Sequence, residues 1–328
     1  MSFLRSTCVA VLSSAFIAGA GMVAAEPVSL KAAIYTGNTS SPFRTTFDAF
    51  VNFLNEHGEG EIQITDVLGP EAIPENQQAR ALADGLVDFV AAPPSYFENL
   101  VPGLGGLSAP RITTQEMRAN GTFDAVNEFL EAGANARMVG LYAGDVPFYI
   151  FTNKPVRSLE EFKGLRLRTT NTVQAFFNAI GAQPLQVKRG EIYTALERGV
   201  ADGYSNINAE LFDSSWIEVA KYRIGPGFYT PNIAIFMNLD SYNKLTERQK
   251  TLLHAAGLYV EGGPTWAMQQ AEEAALKRAV DEHGFEAITF SPEDTEAFLK
   301  AAYDSTWAEI DARAPDFAAR MRPLLLGE

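Results

Sequence analysis

Residues 159–206 read LEEFKGLRLRTTNTVQAFFNAIGAQPLQVKRGEIYTALERGVADGYSN. Their punctuation divides them into strand, helix, strand, helix, strand. Residues 165–169 alternate apolar and charged side chains, as a strand does, and end on Arg168 and Thr169. Thr172 is placed to cap the next helix, in which Val173, Phe176, Phe177 and Ile180 fall at i, i+3, i+4 and i+7 and share one face. Gly181 supplies the left-handed stop. A second strand is expected over 184–187, a second helix over 191–198 with Ile192, Ala195 and Leu196 inward, and Gly199 closes it. The third strand passes Asp202 and ends near Asn206. Short parallel strands joined by helices bring their carboxyl ends to one crevice, and Arg168 and Asn206 both sit at such ends. A guanidinium beside an amide suits a small anion, above all a carboxylate gripped by a two-pronged hydrogen bond. Taken alone, Arg168 also fits a structural ion pair, with Glu191 a candidate partner.

The same succession occurs once before. Residues 28–35 form a buried first strand, a polar turn leads into a helix over 43–57, 61–67 alternate as a strand, 74–84 are helical up to Gly85, and 87–92 form a third strand. ALADGLVD at 81–88 echoes ALERGVAD at 195–202: a helix end, a glycine stop and a strand entered past an aspartate. Two copies of one unit predict two similar lobes rather than a stacked array. Residues 147–153 carry the chain into the second lobe and 228–239 bring it back, so the second lobe is inserted in the first, across strands that can act as a hinge.

The chain has 328 residues, 47% hydrophobic and 20% charged, ample for two lobes with cores of their own. A net charge of −14 excludes nucleic acid and anionic membrane as natural partners. Residues 1–25 read as an export signal: Arg5 is the lone positive charge, residues 8–25 are apolar and small, and cleavage is expected near Ala25. The chain's one cysteine, Cys8, lies in that segment, so the mature chain would have no disulfide, thiol nucleophile or cysteine metal site.

Tyr35, Ser95, Tyr96, Asn171, Tyr229 and Asn232 fall near strand ends or the hinge, where polar tips can line a closing cleft. Arg189 is either a second cation for the ligand or a solvent-facing side chain. The three histidines, His57, His254 and His283, are scattered, no metal-ligand spacing occurs and no Gly-x-Ser-x-Gly elbow is present. No catalytic group, metal or cofactor is therefore expected. The glycine-rich loop at 101–110 lacks dinucleotide-fingerprint spacing.

KGLRLR at 163–168, IGAQP at 180–184, EIYTALERGVADG at 191–203 and Asn206 together make the chain resemble the solute receptors of tripartite ATP-independent periplasmic (TRAP) transporters, the DctP type. The likeness runs from about Leu30 to the C-terminal helices. It implies an α/β, two-lobed, periplasmic-binding-protein-like fold with a hinge cleft and a long helix spanning both lobes. That helix corresponds to 245–283, mostly helical and interrupted at Gly262-Gly263-Pro264. The lobes are expected at 26–146 plus 232–272 and at 147–231 plus 273–328, with terminal helices over 293–314 and 316–325 packing on the second. The resemblance implies a periplasmic receptor, not an enzyme, that binds a small organic acid and delivers it to the small and large subunits of a membrane permease. In the family, the arginine at the position of Arg168 binds the ligand carboxylate and the asparagine at Asn206 lines the pocket. An aromatic often stands where this chain has Arg189. Acidic-sugar receptors of the family carry a second arginine near Phe148, and its absence favours a ligand with a less polar body. The alternatives are an exported two-lobed enzyme, or a binding protein serving a sensor kinase or an ATP-driven importer.

Overall fold

Alternation and helical periodicity in the first part of the chain become β1 (Val28–Ile34), α1 (Pro42–His57), β2 (Ile62–Leu68), α2 (Gln78–Ala83) and β3 (Phe89–Ala92). This computed structural model describes residues 28–328, with the side chains of Asn171 and Thr172 left out; the expected export signal at 1–25 lies outside the described residues. The helical stretch expected over 114–132 is two helices, α3 (Thr114–Ala119) and α4 (Thr122–Ala134). They break at Gly121, whose φ of +87° no helix accommodates. After β4 (Ala136–Tyr142) come β5 (Tyr149–Thr152), β6 (Arg166–Thr169), α5 (Asn171–Ala179), β7 (Gln183–Gln186), α6 (Ile192–Glu197) and β8 (Gly203–Asn206). Thr170, not Thr172, occupies the N-cap of α5, without a side-chain cap bond. The four apolar residues of that helix are buried as the spacing requires.

The chain continues through α7 (Glu210–Asp213), β9 (Tyr222–Ile224), β10 (Ile233–Asn238), α8 (Leu239–Asn243), α9 (Glu247–Glu261), α10 (Gly263–His283), β11 (Glu286–Ile288), α11 (Pro292–Arg313) and α12 (Pro315–Leu326). The strands form two sheets, ordered β2-β1-β3-β10-β4 and β11-β9-β5-β8-β6-β7. In the first, β1 is parallel to both neighbours and β10 runs antiparallel to β3 and β4. In the second, β6 is parallel to β7 and β8, and β5 runs antiparallel to β8 and β9. The three-residue strands β9 and β11 are too short to leave a pattern in sequence. Of the strand expected over 228–239, only β10 forms; the residues before it belong to the crossover, where Phe148 and residues 228–229 exchange backbone hydrogen bonds of 2.7 and 3.0 Å.

α9 and α10 form one long helical path, broken where Gly262 leaves helical geometry (φ −88°, ψ −98°) ahead of Pro264. α9 packs on β4 and α1. α10 buries Met268 and Ala275 in the core of the first lobe and Ala279 in that of the second, so it spans both. The expected placement of both terminal helices on the second lobe holds only in part. Phe298 and Ala302, near the start of α11, enter the second lobe's core, whereas Trp307, Ile310, Phe317, Met321 and Leu325 enter the first lobe's. The glycine-rich loop explains why. Gly103 (φ +94°) has the Phe317 ring where a β-carbon would stand, at 2.7 Å, and Glu98 accepts the N–H groups of Gly103 and Gly105 at 2.9 and 2.7 Å. The loop is a seat for α12, and an α12 docked there cannot also cover the second lobe.

Candidate functional site

Alternation along β6 sends Leu167 into the second lobe's core and leaves Arg168 on the other face, 8% exposed. Its Nε donates to the carbonyl of Val187, just beyond β7, at 2.9 Å. Among the described residues no carboxylate pairs with it, and its two terminal nitrogens donate to no protein group. Burial pulls the guanidinium's pKa down from its ordinary value; the neighbouring Tyr96 opposes that fall and the positive charge of Arg189 adds to it. A buried cation with no acidic partner among the described residues is costly to keep, and an incoming carboxylate relieves that cost.

Arg189 begins the turn before α6 and lines, with Arg168, a cavity between the lobes, but its charge is answered. It pairs with the wholly buried Glu210, and its guanidinium stands 5.2 Å from the ring of Trp216. Burial alone would lower its pKa; Glu210 and the neighbouring phenols outweigh burial and raise it. Glu210 also accepts the hydroxyls of Ser41, at the start of α1, and of Ser214, each at 2.7 Å.

The two lobes enclose a small inner cavity, about 50 Å³ open to the centres of water-sized molecules. It shares Arg168, Thr170, Ser95 and Tyr96 with an outer one of about 310 Å³. Tyr35, Ser95, Asn206, Arg168 and Arg189 come together around the inner cavity. Asn206 is 4% exposed; its Oδ1 accepts the N–H of Ile207 at 2.9 Å, while its Nδ2 donates to no described group. Burial pushes the Tyr35 and Tyr96 phenols above their ordinary range, so both stand as hydroxyl donors. Asn232 does not line the cavity: it is fully buried at φ +43°, with Nδ2 donating to the Leu107 carbonyl at 2.5 Å, and serves the crossover between the lobes. Asn171 opens α5, and its side chain lies outside the described residues.

Sequence reasoning missed Phe43, Pro93, Ser108, Thr170, Ser205, Pro231 and Ile233, all on the cavity wall. Ser205 and Thr170 could have been found as neighbours of Asn206 and Arg168. Phe43 and Ser108 come from distant turns and left no such signal. Phe148, noted for lacking a charge, joins Phe43, Ile233 and two prolines as the apolar part of the wall. No cluster of potential metal ligands occurs among the described residues, and none of their helices is long and apolar enough to cross a membrane. The arrangement sets a cation with no acidic partner, and an amide whose Nδ2 has no hydrogen-bond acceptor among the described residues, beside hydroxyls and rings, which suits holding a small acid.

Residues 34–313 match the family described as bacterial extracellular solute-binding protein, family 7 (DctP). The ectoine-binding periplasmic protein TeaA of Halomonas elongata is 26% identical over 239 residues, 68% of this chain and 66% of that protein. The matched stretches span between 51% and 66% of the length of the first such relatives. A TRAP periplasmic solute-binding protein of Desulfovibrio salexigens, solved with orotic acid, superposes with a TM-score of 0.80 at 18% identity, covering 90% of this chain and 97% of that one. One from Sulfitobacter sp. NAS-14.1, solved with β-D-galacturonate, gives 0.76 at 20% identity, over 92% and 100%. At such identities the likeness shows the fold.

Proposed function

Because the chain belongs to the DctP family of bacterial extracellular solute-binding proteins, we propose that it is the exported receptor of a TRAP transporter, catching a small organic acid between its lobes. The acid's carboxylate is gripped by Arg168, with Asn206 and the hydroxyls of Tyr35 and Ser95 completing its surroundings. Arg189 stands beside it as a cation already matched by Glu210. The lobes are assigned to residues 28–146 plus 232–272 and to 147–231 plus 273–313, with α10 and α11 passing between the two cores and α12 added to the first. After cleavage near Ala25 the mature receptor works in the periplasm, and the closed, loaded form is what the small and large permease subunits receive. Its role is capture rather than catalysis.

The observation that carries this reading is Arg168: a guanidinium buried where both lobes meet, at a cavity, with no acidic partner among the described residues. Ligand contacts from both lobes favour the closed form over the open one, which is how such a receptor reports loading. The related receptors crystallised with galacturonate and orotic acid, both organic acids, support it further. The test is a thermal-shift screen of organic acids on residues 26–328. A ligand that binds only the folded state raises the melting temperature, by a concentration-dependent amount. Several degrees of stabilisation by at least one carboxylate is expected; a panel of acids that leaves the melting temperature unmoved would overturn the reading.

A further inference from the structure

The two guanidinium groups at the cleft are not equivalent, and the receptor reading above turns that difference into a rule about which acids fit. Arg168 meets the cavity without an acid of its own among the described residues. Arg189 meets it with Glu210 attached, and Glu210 is tied in place by the hydroxyls of Ser41 and Ser214, both at 2.7 Å. A carboxylate held by a cation and two hydroxyl donors is not available to swing away when a ligand arrives. Buried Arg168, half-buried Arg189 and buried Glu210 leave a net charge of one at the inner cavity, the charge of one ligand carboxylate. Glu75, a further acid, stands at the outer cavity and accepts from Tyr96 at 3.4 Å. The remaining wall includes Phe43, Phe148 and Ile233. At the inner cavity a second carboxylate on the ligand would lose its water and find, among the described residues, no unmatched cation in exchange; Lys188, on the outer cavity, is exposed to solvent.

We infer that Glu210 is a specificity-determining residue: by neutralising Arg189 it makes the cleft accept monocarboxylates with a compact, weakly polar body and reject dicarboxylates. Arg189 is thereby a latent second anion site that Glu210 keeps closed.

Glu210→Gln tests this, because the amide retains an acceptor for Ser41 or Ser214 while removing the charge. Isothermal titration calorimetry on the wild type and the variant would use acids of matched length, pentanoate against glutarate and 4-methylbenzoate against terephthalate. The wild type should prefer the monoacid of each pair, and Glu210→Gln should shift the ratio towards the diacid by at least about tenfold. Arg189→Gln is the second arm and covers the case in which the first variant does not fold. It leaves the acid without its cation, and so should weaken even the monoacids by about tenfold or more with Arg168 intact. A wild type that binds the diacids as tightly as the monoacids overturns the inference, as does an unchanged ratio in Glu210→Gln or unchanged affinity in Arg189→Gln. If monoacids bind and Arg168→Ala abolishes that binding, such a result sinks the charge rule alone. If no carboxylate binds at all, the receptor reading falls and takes the rule with it.

Discussion

Where β1 meets β3 in the first lobe, Asp88 donates its N–H to the carbonyl of Lys31 at 2.8 Å and accepts the Lys31 N–H on its carboxylate at 2.8 Å. Where β6 meets β8 in the second, Asp202 does the same with Arg166 at 2.8 and 2.9 Å. The carbonyls of the two aspartates then accept from Asn238 and Asn153, each at the matching end of an antiparallel neighbour. Taking these aspartates as origin, strand register sets Ala33 opposite Val90 in one lobe and Arg168 opposite Tyr204 in the other. Ala33, Ala91 and Ala92 thus stand where the second lobe has Arg168, Ser205 and Asn206. Ile233 and Phe148 also match, and both line the cavity. The frame is repeated to the level of single hydrogen bonds, and the chemistry is not. The second lobe carries the guanidinium and amide groups at the cavity; the first brings hydroxyls and rings from beyond its strand ends, in Tyr35, Ser95 and Tyr96.

The largest expected effect comes from removing that asymmetry. Arg168→Ala makes the two matching positions alike, and carboxylate affinity should fall on the order of 100-fold, about 3 kcal/mol, or more. Arg168→Lys should recover only part, because an ammonium cannot present the planar fork. The unliganded protein should melt no lower in Arg168→Ala than in wild type, since the change deletes a desolvated cation that has no acidic partner among the described residues. Titration calorimetry and thermal unfolding check both statements. Full affinity in the alanine variant would show that the second lobe does not hold the acid.

The repeated frame was legible because it is local. Helix ends, glycine stops and strand entries are written in runs of eight residues, and 81–88 and 195–202 spell them twice. The strand-end residues of the site were legible for the same reason: Arg168 and Asn206 follow directly from where their strands stop. Asn232 illustrates the limit. A hinge position predicts nearness to the cleft, but not that its amide turns to the Leu107 carbonyl to close the crossover. The buried partner of Arg189 lies 21 positions further on, in a four-residue helix without sequence signature, and only the fold brings it there. The packing of α12 was hidden likewise, since the glycine that admits Phe317 lies far upstream.

The next effects concern the frame itself. Asp202 adds to the shared pattern a two-pronged contact with the Arg166 side chain, at 3.0 and 3.1 Å, which Lys31 does not make with Asp88. Asp202→Ala should therefore cost about 2–3 kcal/mol and Asp88→Ala about 1–2 kcal/mol, measured by denaturant unfolding. Hydrogen bonding to Arg166 holds the Asp202 carboxyl at about 2 despite partial burial. Its folded pKa is depressed, so its contribution is complete above the ordinary carboxylate range and is lost as pH falls towards 2. The gap between wild type and Asp202→Ala should narrow over that interval. Glu272 on α10 runs in the opposite sense. Burial raises it to about 7, although it accepts the N–H groups of Ala209 and Asn208 at 2.7 and 2.6 Å; Glu210 adds to the rise and Arg223 opposes it. A raised folded pKa stabilises below the ordinary carboxylate range, and that contribution is lost as pH climbs through 7. Glu272→Gln should remove a component of pH-dependent stability on the order of 2 kcal/mol between about pH 4.5 and 7. An identical pH profile in the variant would leave Glu272 no part in it.

The smallest effect is the strictest test of likeness. Gly85 and Gly199 end their helices at φ +72° and +65°, and in both cases the following residue donates back to the matching alanine, Leu86 to Ala81 at 2.9 Å and Val200 to Ala195 at 2.8 Å. An added β-carbon would meet nothing within 4 Å at Gly199 and only Asn238 Nδ2, at 4.0 Å, at Gly85. Crowding is thus excluded at both, and what an alanine costs is the left-handed backbone alone, about 1 kcal/mol. Gly85→Ala and Gly199→Ala should destabilise by the same amount to within about 0.5 kcal/mol, and the double variant by their sum, because the sites are far apart in the fold. A cost in one lobe more than twice that in the other would mean that the shared hydrogen bonds carry different loads, and that the likeness of the lobes ends at geometry.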